Sequence, residues 1–507
     1  MTAPKLDDGM NRCSVYFDDK NEESYIATAT HSHWVHYTSG AKSNCQHENF
    51  AEYTEGNAVQ AFLGGKEYFA ALLTAFKKAK KSIYITGWQV NWDAQLAKNV
   101  RLVDTLLEVV TASPQLQVYI MPWNNPSLVE TYSAATERVF AAMNTHLKRK
   151  AFYVQRAGSK SGTFFSHHQK CVIVDEEIAF VGGIDLAYGR YDDCYGLLAN
   201  ADGRQGMNMY NPCIPPVARQ DSYNPVEEYV IPVGTDQRNK SRDEWQKAER
   251  QQAESVQHII DKVLSHQVWQ SSGTSKDSTY LNPTIQPRMS WQDYHVQIEG
   301  PAVYDLVKNF VYRWNSYSHP YPAHPLKTPI PELKMPAVPP EKKGSCQVQV
   351  LRSASLDMRK DEHKRMPNSA PNPGLKQDDI LRSIHLLISK SEHYIYIENQ
   401  FFVSEFGEYS ISPENELSPV AKSFNPALSA WATRLLPNEE TPQNPVAEWL
   451  GERIKRAIFS YMNKPFHVYI MLPVYPEGRL DDPTIVAQIH LTRQSLVFGS
   501  HSGAVCG

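Results

Sequence analysis

The chain has 507 residues, 41% of them apolar and 21% charged, with 51 Lys and Arg against 55 Asp and Glu for a net charge of −4. That balance excludes a disordered, collagen-like or coiled-coil chain and leaves no global positive field of the kind that advertises a nucleic-acid partner. The opening residues, with Asp7 and Asp8 and no apolar stretch, do not read as a secretory signal peptide, and no run of about 18 apolar residues is present to span a bilayer. The seven cysteines (Cys13, Cys45, Cys171, Cys194, Cys213, Cys346 and Cys506) are scattered without CxxC spacing. They read as reduced thiols, with neither a disulfide framework nor a zinc site signalled.

In chain order, residues 1–57 form an N-terminal segment. Its His31, His33 and His36 have no carboxylate or cysteine at ligand spacing, so they read as a solvated or partly packed stretch rather than a metal site. Over residues 66–88, Tyr68, Phe69, Leu72, Leu73, Phe76 and Ala79 recur at three-to-four spacing, which predicts an amphipathic helix feeding the strand Ile-Tyr-Ile-Thr. Lys77, Lys78, Lys80 and Lys81 end that helix, where cations meet the negative end of its dipole. Contact with anionic lipid headgroups is the sharper alternative. A second helical pattern, 101–112, leads to Val118-Tyr119-Ile120-Met121. Residues 166–192 read as a strand, a turn at Asp175-Glu176-Glu177, and a returning strand that ends in Gly182-Gly183.

Residues 316–345 hold eight of the 33 prolines and suit an extended connector. Beyond it the first pattern repeats. A helix carrying Ile380, Ile384, Leu387 and Ile388 feeds Ile-Tyr-Ile-Glu, and a helix over 446–461, opened by Asn444 and Pro445, feeds Val468-Tyr469-Ile470-Met471, letter for letter the earlier strand. Strand, helix, strand, twice, predicts an α/β fold of two similar lobes, 58–315 and 346–507, each a mixed, largely parallel sheet flanked by helices. Two stretches rich in Pro, Asn, Gly and charge, 196–245 and 404–443, read as long surface insertions.

The chemistry gathers at the hairpin. Side chains alternate along a strand, so His168 and Lys170 project from one face with about 7 Å of backbone between them. A neutral imidazole beside a fixed cation suits attack on phosphorus, because the ammonium neutralises phosphoryl oxygens that would repel a nucleophile, and that chemistry needs no metal. Asp175, in the turn at an odd offset, is expected to orient neighbours rather than touch substrate. Gly182 and Gly183 let backbone pass close to the reacting centre, and their N–H groups are expected to face an anion. His167 and Cys171 are expected to pack or face away.

The pattern HxKxxxxD followed by a glycine pair, with GGIDLAYGRYD, WQDYHVQIEGPAVYDLVKNFVYRWN (291–315), VLRSAS (350–355) and IYIENQFF (395–402), resembles the phospholipase D superfamily over roughly residues 58–500. The resemblance implies two HKD motifs, one per lobe, sharing one site. One histidine becomes a phosphohistidine, the other protonates the leaving alcohol, and lysines clamp the phosphoryl oxygens, without a cofactor. Carried over by residue, His168 is the nucleophile and Lys170 the phosphate ligand, with Asp175 completing the motif. Asp185 stands where many members carry Asn, and Glu398, Asn399 and Gln400 are a pocket wall. The implied function is hydrolysis of a membrane phospholipid to phosphatidic acid and a headgroup alcohol. Acidic balance argues against a nuclease and the lack of membrane helices against a phosphatidyltransferase such as cardiolipin synthase.

No second HxKxxxxD is present in these 507 residues. His168 lies 47 residues beyond Met121, and the same distance beyond Met471 falls past Gly507. The expectation is therefore a truncated enzyme with its second lobe incomplete, and a catalytically inactive remnant that binds lipid or a partner is the alternative. Resemblance to bacterial enzymes exported without a cleaved signal implies a cytoplasmic origin, peripheral residence at membranes, and a secretion-system or immunity partner.

Overall fold

The computed structural model describes residues 49–124, 131–158, 166–192, 210–214, 255–265, 286–317, 330–405, 444–459, 465–473 and parts of 477–496. The histidines at 31, 33 and 36, and nearly all of both long insertions, lie outside them.

The first half is built on an eight-stranded sheet. Its strands are β1 (Thr54–Phe62), β2 (Ser82–Gly87), β5 (Gln117–Pro122), β6 (Phe152–Val154), β7 (Lys170–Val174), β8 (Ile178–Gly182), β9 (His295–Glu299) and β10 (Cys346–Val348), in the order β10-β1-β9-β8-β7-β2-β5-β6. A small ribbon, β3 (Gln95–Ala97) with β4 (Val100–Arg101), follows β2. The sheet is mixed rather than largely parallel. Only β2–β5 and β5–β6 pair parallel, through helical crossovers, whereas β7 and β8 are joined by a three-residue turn that forces an antiparallel pair. β10, from beyond the Pro-rich connector, closes the edge against β1.

Helices cover both faces. The expected amphipathic helix is α1 (Gly65–Lys78), which with α2 (Leu102–Ala112) and α3 (Ser133–Leu147) packs Phe69, Leu72, Phe76, Leu106 and Phe140 on Ile83, Ile85, Val118, Ile120 and Phe180. On the other face α4 (Val303–Tyr317) lays Phe310 and Trp314 over Tyr84, Tyr119, Met121 and Ile173. β2, central and covered on both sides, is buried at all six positions, which is why it reads as a continuous apolar run.

The second half contains the ribbon β11 (Ser353–Ala354) with β12 (Gln377–Asp378), helices α5 (Leu356–Arg365), α6 (Asp379–Lys390) and α7 (Val446–Phe459), and the parallel pair β13 (Tyr394–Glu398) and β14 (His467–Met471). The predicted repeat is visible in the register. Tyr84 faces Tyr119 as Tyr396 faces Tyr469, and Thr86 faces Met121 as Glu398 faces Met471. No described helix is long and apolar enough to cross a membrane.

Candidate active site

β7 pairs antiparallel with β2, so its first residues lie at the carboxyl ends of β2 and β5, where open α/β sheets present their ligand crevices. The strand proper begins at Lys170, and His168 lies in the extended lead-in. Alternation holds across that boundary. His167 is buried, its Nε2 3.0 Å from Thr86 Oγ1, and the Gln169 amide oxygen accepts from Asn309 Nδ2 on α4 at 2.9 Å. His168 and Lys170 point the other way and meet. Lys170 Nζ lies 3.3 Å from His168 Nδ1, 3.1 Å from His168 O and 3.3 Å from Asp185 Oδ2. The three donors of the ammonium are thereby all engaged.

Asp185 is the keystone of this arrangement. It is 2% exposed, and while Oδ2 holds Lys170, Oδ1 accepts the N–H groups of Trp88 at 2.9 Å and Gln89 at 3.3 Å, tying the loop after β2 to the site. Trp88, half-buried, sets its ring 6.0 Å from that of His168 and stacks on Trp123. Crowding around the imidazole strips its hydration, and with the Lys170 charge beside it the His168 pKa is pushed down to about 4. The ring is therefore neutral at physiological pH. Burial also lowers the Lys170 pKa, and Asp185 pulls it back up.

The glycine pair serves close approach. A Cβ on Gly182 would stand 2.4 Å from Tyr294 O, and one on Gly183 would stand 2.4 Å from Asp293 Oδ1. The Gly183 N–H donates to Tyr294 O at 2.9 Å, so contrary to expectation it is not offered to an anion. Asp175 lies at the far end of β7, where its carboxylate accepts the N–H groups of Lys80, Lys81 and Ser82 at 2.6–3.1 Å. It staples the start of β2 to the hairpin, at the opposite end of β7 from Lys170. The lysine cluster is partly consumed there too, with Lys81 Nζ bonded to Glu176.

Glu398, Asn399 and Gln400 end β13. Glu398 accepts from Tyr396 at 2.9 Å, Asn399 N–H donates to Met471 O at 3.3 Å, and Gln400 Nε2 donates to Glu477 Oε2 at 2.8 Å. Glu477 carries the connection. Desolvation raises its pKa, and the charges acting on it include Arg190, Asp293, Asp185 and Lys170. Of the three wall residues, Gln400 is the one bonded to Glu477.

Three groups at the site were not singled out from the sequence. Asp293 accepts from Trp291 Nε1 at 2.8 Å and has a pKa raised by burial. His295, stacked 3.9 Å from Tyr68, accepts the Ile184 N–H and is held neutral, its pKa lowered by burial to about 3. Arg190 is buried against Trp291. Arg190 was legible only as part of GGIDLAYGRYD and the other two only as part of WQDYHVQIEG, without a spacing that marks them individually.

Residues 75–282 and 265–498 each match the family model described as Phospholipase D. The chain belongs to the phospholipase D family. It is 24% identical over 481 residues to Phospholipase D2 of Bos taurus, covering 90% of this chain and 42% of that protein. Against Phospholipase D1 of Saccharomyces cerevisiae it is 26% identical over 480 residues, covering 90% of this chain and 23% of that protein. The chain therefore spans less than half the length of these relatives. Among solved structures, a phospholipase D family member, Nuc from Salmonella typhimurium, is 17% identical with a TM-score of 0.20, covering 26% of this chain and 73% of its own. NucT from Helicobacter pylori is 13% identical with the same TM-score, 0.20, over 27% and 79%.

Proposed function

We propose that this protein is a phosphodiesterase of the phospholipase D type, which cleaves a membrane phospholipid to phosphatidic acid and its headgroup alcohol through a phosphohistidine at His168. The observation that carries the reading is a neutral imidazole held beside a buried ammonium, with Asp185 fixing both the ammonium and the neighbouring loop.

The sequence of events follows from the contacts. As arranged, Lys170 donates to Nδ1 and the imidazole hydrogen resides on Nε2. An arriving phosphoryl oxygen draws the Lys170 donor to itself, which frees Nδ1 to carry the hydrogen and leaves a lone pair on Nε2. That lone pair forms the P–N bond as the P–O bond to the headgroup breaks, and the departing alkoxide takes a proton from an acid outside the HxKxxxxD motif. Water, giving a proton to the conjugate base that acid left behind, then forms a P–O bond as the P–N bond breaks and regenerates the ring. Lys170 neutralises the phosphoryl charge that grows in both steps.

The test is choline release from phosphatidylcholine vesicles by the full chain, with quenched reactions examined for an acid-labile, base-stable phosphoryl group on His168. We expect His168→Ala to abolish both signals. Turnover that persists in His168→Ala, or label on another residue, refutes the reading.

A further inference from the structure

Arg190 follows the glycine pair by seven residues and is 2% exposed. Its guanidinium lies over the Trp291 ring, with Cζ 3.5 Å from the centroid, and 5.6 Å from that of Tyr210. One terminal nitrogen donates to Tyr188 O at 2.9 Å, and Nε is buried with no hydrogen-bond partner.

No carboxylate meets this group directly. Arg101, Arg288 and Arg352 each meet a carboxylate at 2.6–2.7 Å. Among the described residues none comes within ion-pair distance of Arg190, and its charge acts on the carboxylates of Asp293 and Glu477 only from farther off. Asp192 holds Arg288, Asp185 holds Lys170, Asp293 takes Trp291 Nε1 and Glu477 takes Gln400. Arg313 also lacks a carboxylate, but it lies behind the sheet, where its field falls on His167. Arg190 lies on the site side, over Trp291, whose Nε1 donates to the Asp293 carboxylate that abuts Gly183. A guanidinium does not discharge by losing its proton, and stacking on an indole recovers only part of what desolvation costs.

The other cation of the half-site is shared. Lys170 can turn one hydrogen from His168 to a phosphoryl oxygen, but its charge is already partly balanced by Asp185. A phosphodiester anion brought there needs a second positive charge, and a buried guanidinium in direct contact with no carboxylate supplies it. We infer that Arg190 is a further phosphate-binding residue of this site, with the Trp291 ring as the shelf that holds the guanidinium plane and the unpaired Nε–H as the donor left for a phosphoryl oxygen. The inference rests on the phosphoryl-transfer reading of His168 and Lys170, and it explains why a buried arginine is left without a carboxylate partner.

The test titrates the full chain with sodium tungstate, a tetrahedral oxyanion, by calorimetry, and measures phosphatidylcholine hydrolysis in parallel. We expect Arg190→Gln to weaken tungstate binding about tenfold or more, Arg190→Lys to recover part of the loss, and the KM for lipid to rise with the tungstate Kd. Should Arg190→Gln fail to fold, Trp291→Ala carries the same comparison, with weaker tungstate binding expected. Tungstate affinity unchanged in Arg190→Gln, or no tungstate binding by the parent chain, overturns the inference, whether or not lipid is cleaved. Arg190-dependent tungstate binding without lipid cleavage leaves the inference standing and removes the phospholipase reading instead.

Discussion

At the scale of single residues, the site depends on one carboxylate holding a cation in a dry place. Burial lowers the Lys170 pKa and Asp185 raises it, so the ammonium keeps its charge through that partner. Asp185→Asn preserves an oxygen for the Trp88 and Gln89 amides but removes the charge. The sign follows directly. Lys170 works as a cation below its pKa, and removing the influence that raises that pKa brings its loss of charge to lower pH. We therefore expect the alkaline limb of kcat/KM to shift downward in Asp185→Asn, with a loss of roughly 10²-fold at neutral pH. A pH–rate profile on a soluble phosphodiester measures this, and an unshifted alkaline limb contradicts the role given to Asp185.

At the scale of elements, the hairpin β7–β8 is held at both ends by different means. At the site end the glycine pair lets the segment before β9 press against β8. At the other end Asp175, itself at φ 54 in the turn, gathers the three amides that precede and open β2. Local interactions at that end act on strand packing, since Lys170, at the other end of β7, lies about 16 Å away along its length. Asp175→Ala should accordingly lower stability by about 1–3 kcal/mol, the cost of orphaned amides at a partly buried turn, while leaving the KM for lipid unchanged. Denaturant unfolding and steady-state kinetics on the same preparation check this. A loss of kcat without loss of stability returns Asp175 to the catalytic group.

At the scale of the whole molecule, a duplicated unit is packed unequally. In the first half Tyr84 and Tyr119 lie under α4, with Tyr84 stacked 4.8 Å from Phe310. Their counterparts Tyr396 and Tyr469 are 52% and 53% exposed. The larger sheet concentrates the buried titratable groups, and these tie its stability to acidity. His295, with a folded pKa near 3 against an ordinary 6.5, stays neutral when folded and binds a proton on unfolding anywhere between those values. Its contribution to stability is complete above pH 6.5 and is lost as pH falls through that window, whereas Asp305, raised to about 6, acts in the opposite sense. The difference made by one residue isolates the effect. His295→Phe, which keeps a ring on Tyr68, should reduce proton uptake on unfolding at pH 5 by about one and flatten the stability-versus-pH slope by about 1.4 kcal/mol per unit. Loss of the Ile184 hydrogen bond offsets the curve at every pH, so the slope is the signature, and a parallel curve contradicts the assignment.

The helices and strands of both repeats were legible from the amino-acid order, because apolar periodicity is a local property and α1, β2, α2 and β5 each display their own. His168 and Lys170 were legible for the same reason, two residues apart on a chain that alternates. Strand direction was not, since β1, β9 and β10 come from distant parts of the chain and their pairing is set by which edges remain open once the β2–β5–β6 unit and the β7–β8 hairpin have formed. The surroundings of the reacting pair were beyond reach as well. Asp293 and Arg190 are 103 positions apart in the sequence and act on the same few ångströms only because the chain folds them there, and electrostatics depends on that distance through space and on the water excluded between the charges. The amino-acid order alone thus determined the elements, their repetition and the convergence of His168 and Lys170, while the tertiary structure decided the sheet's directions, the placing of Asp175 at the far end of β7, and the burial of Arg190 with no carboxylate in contact.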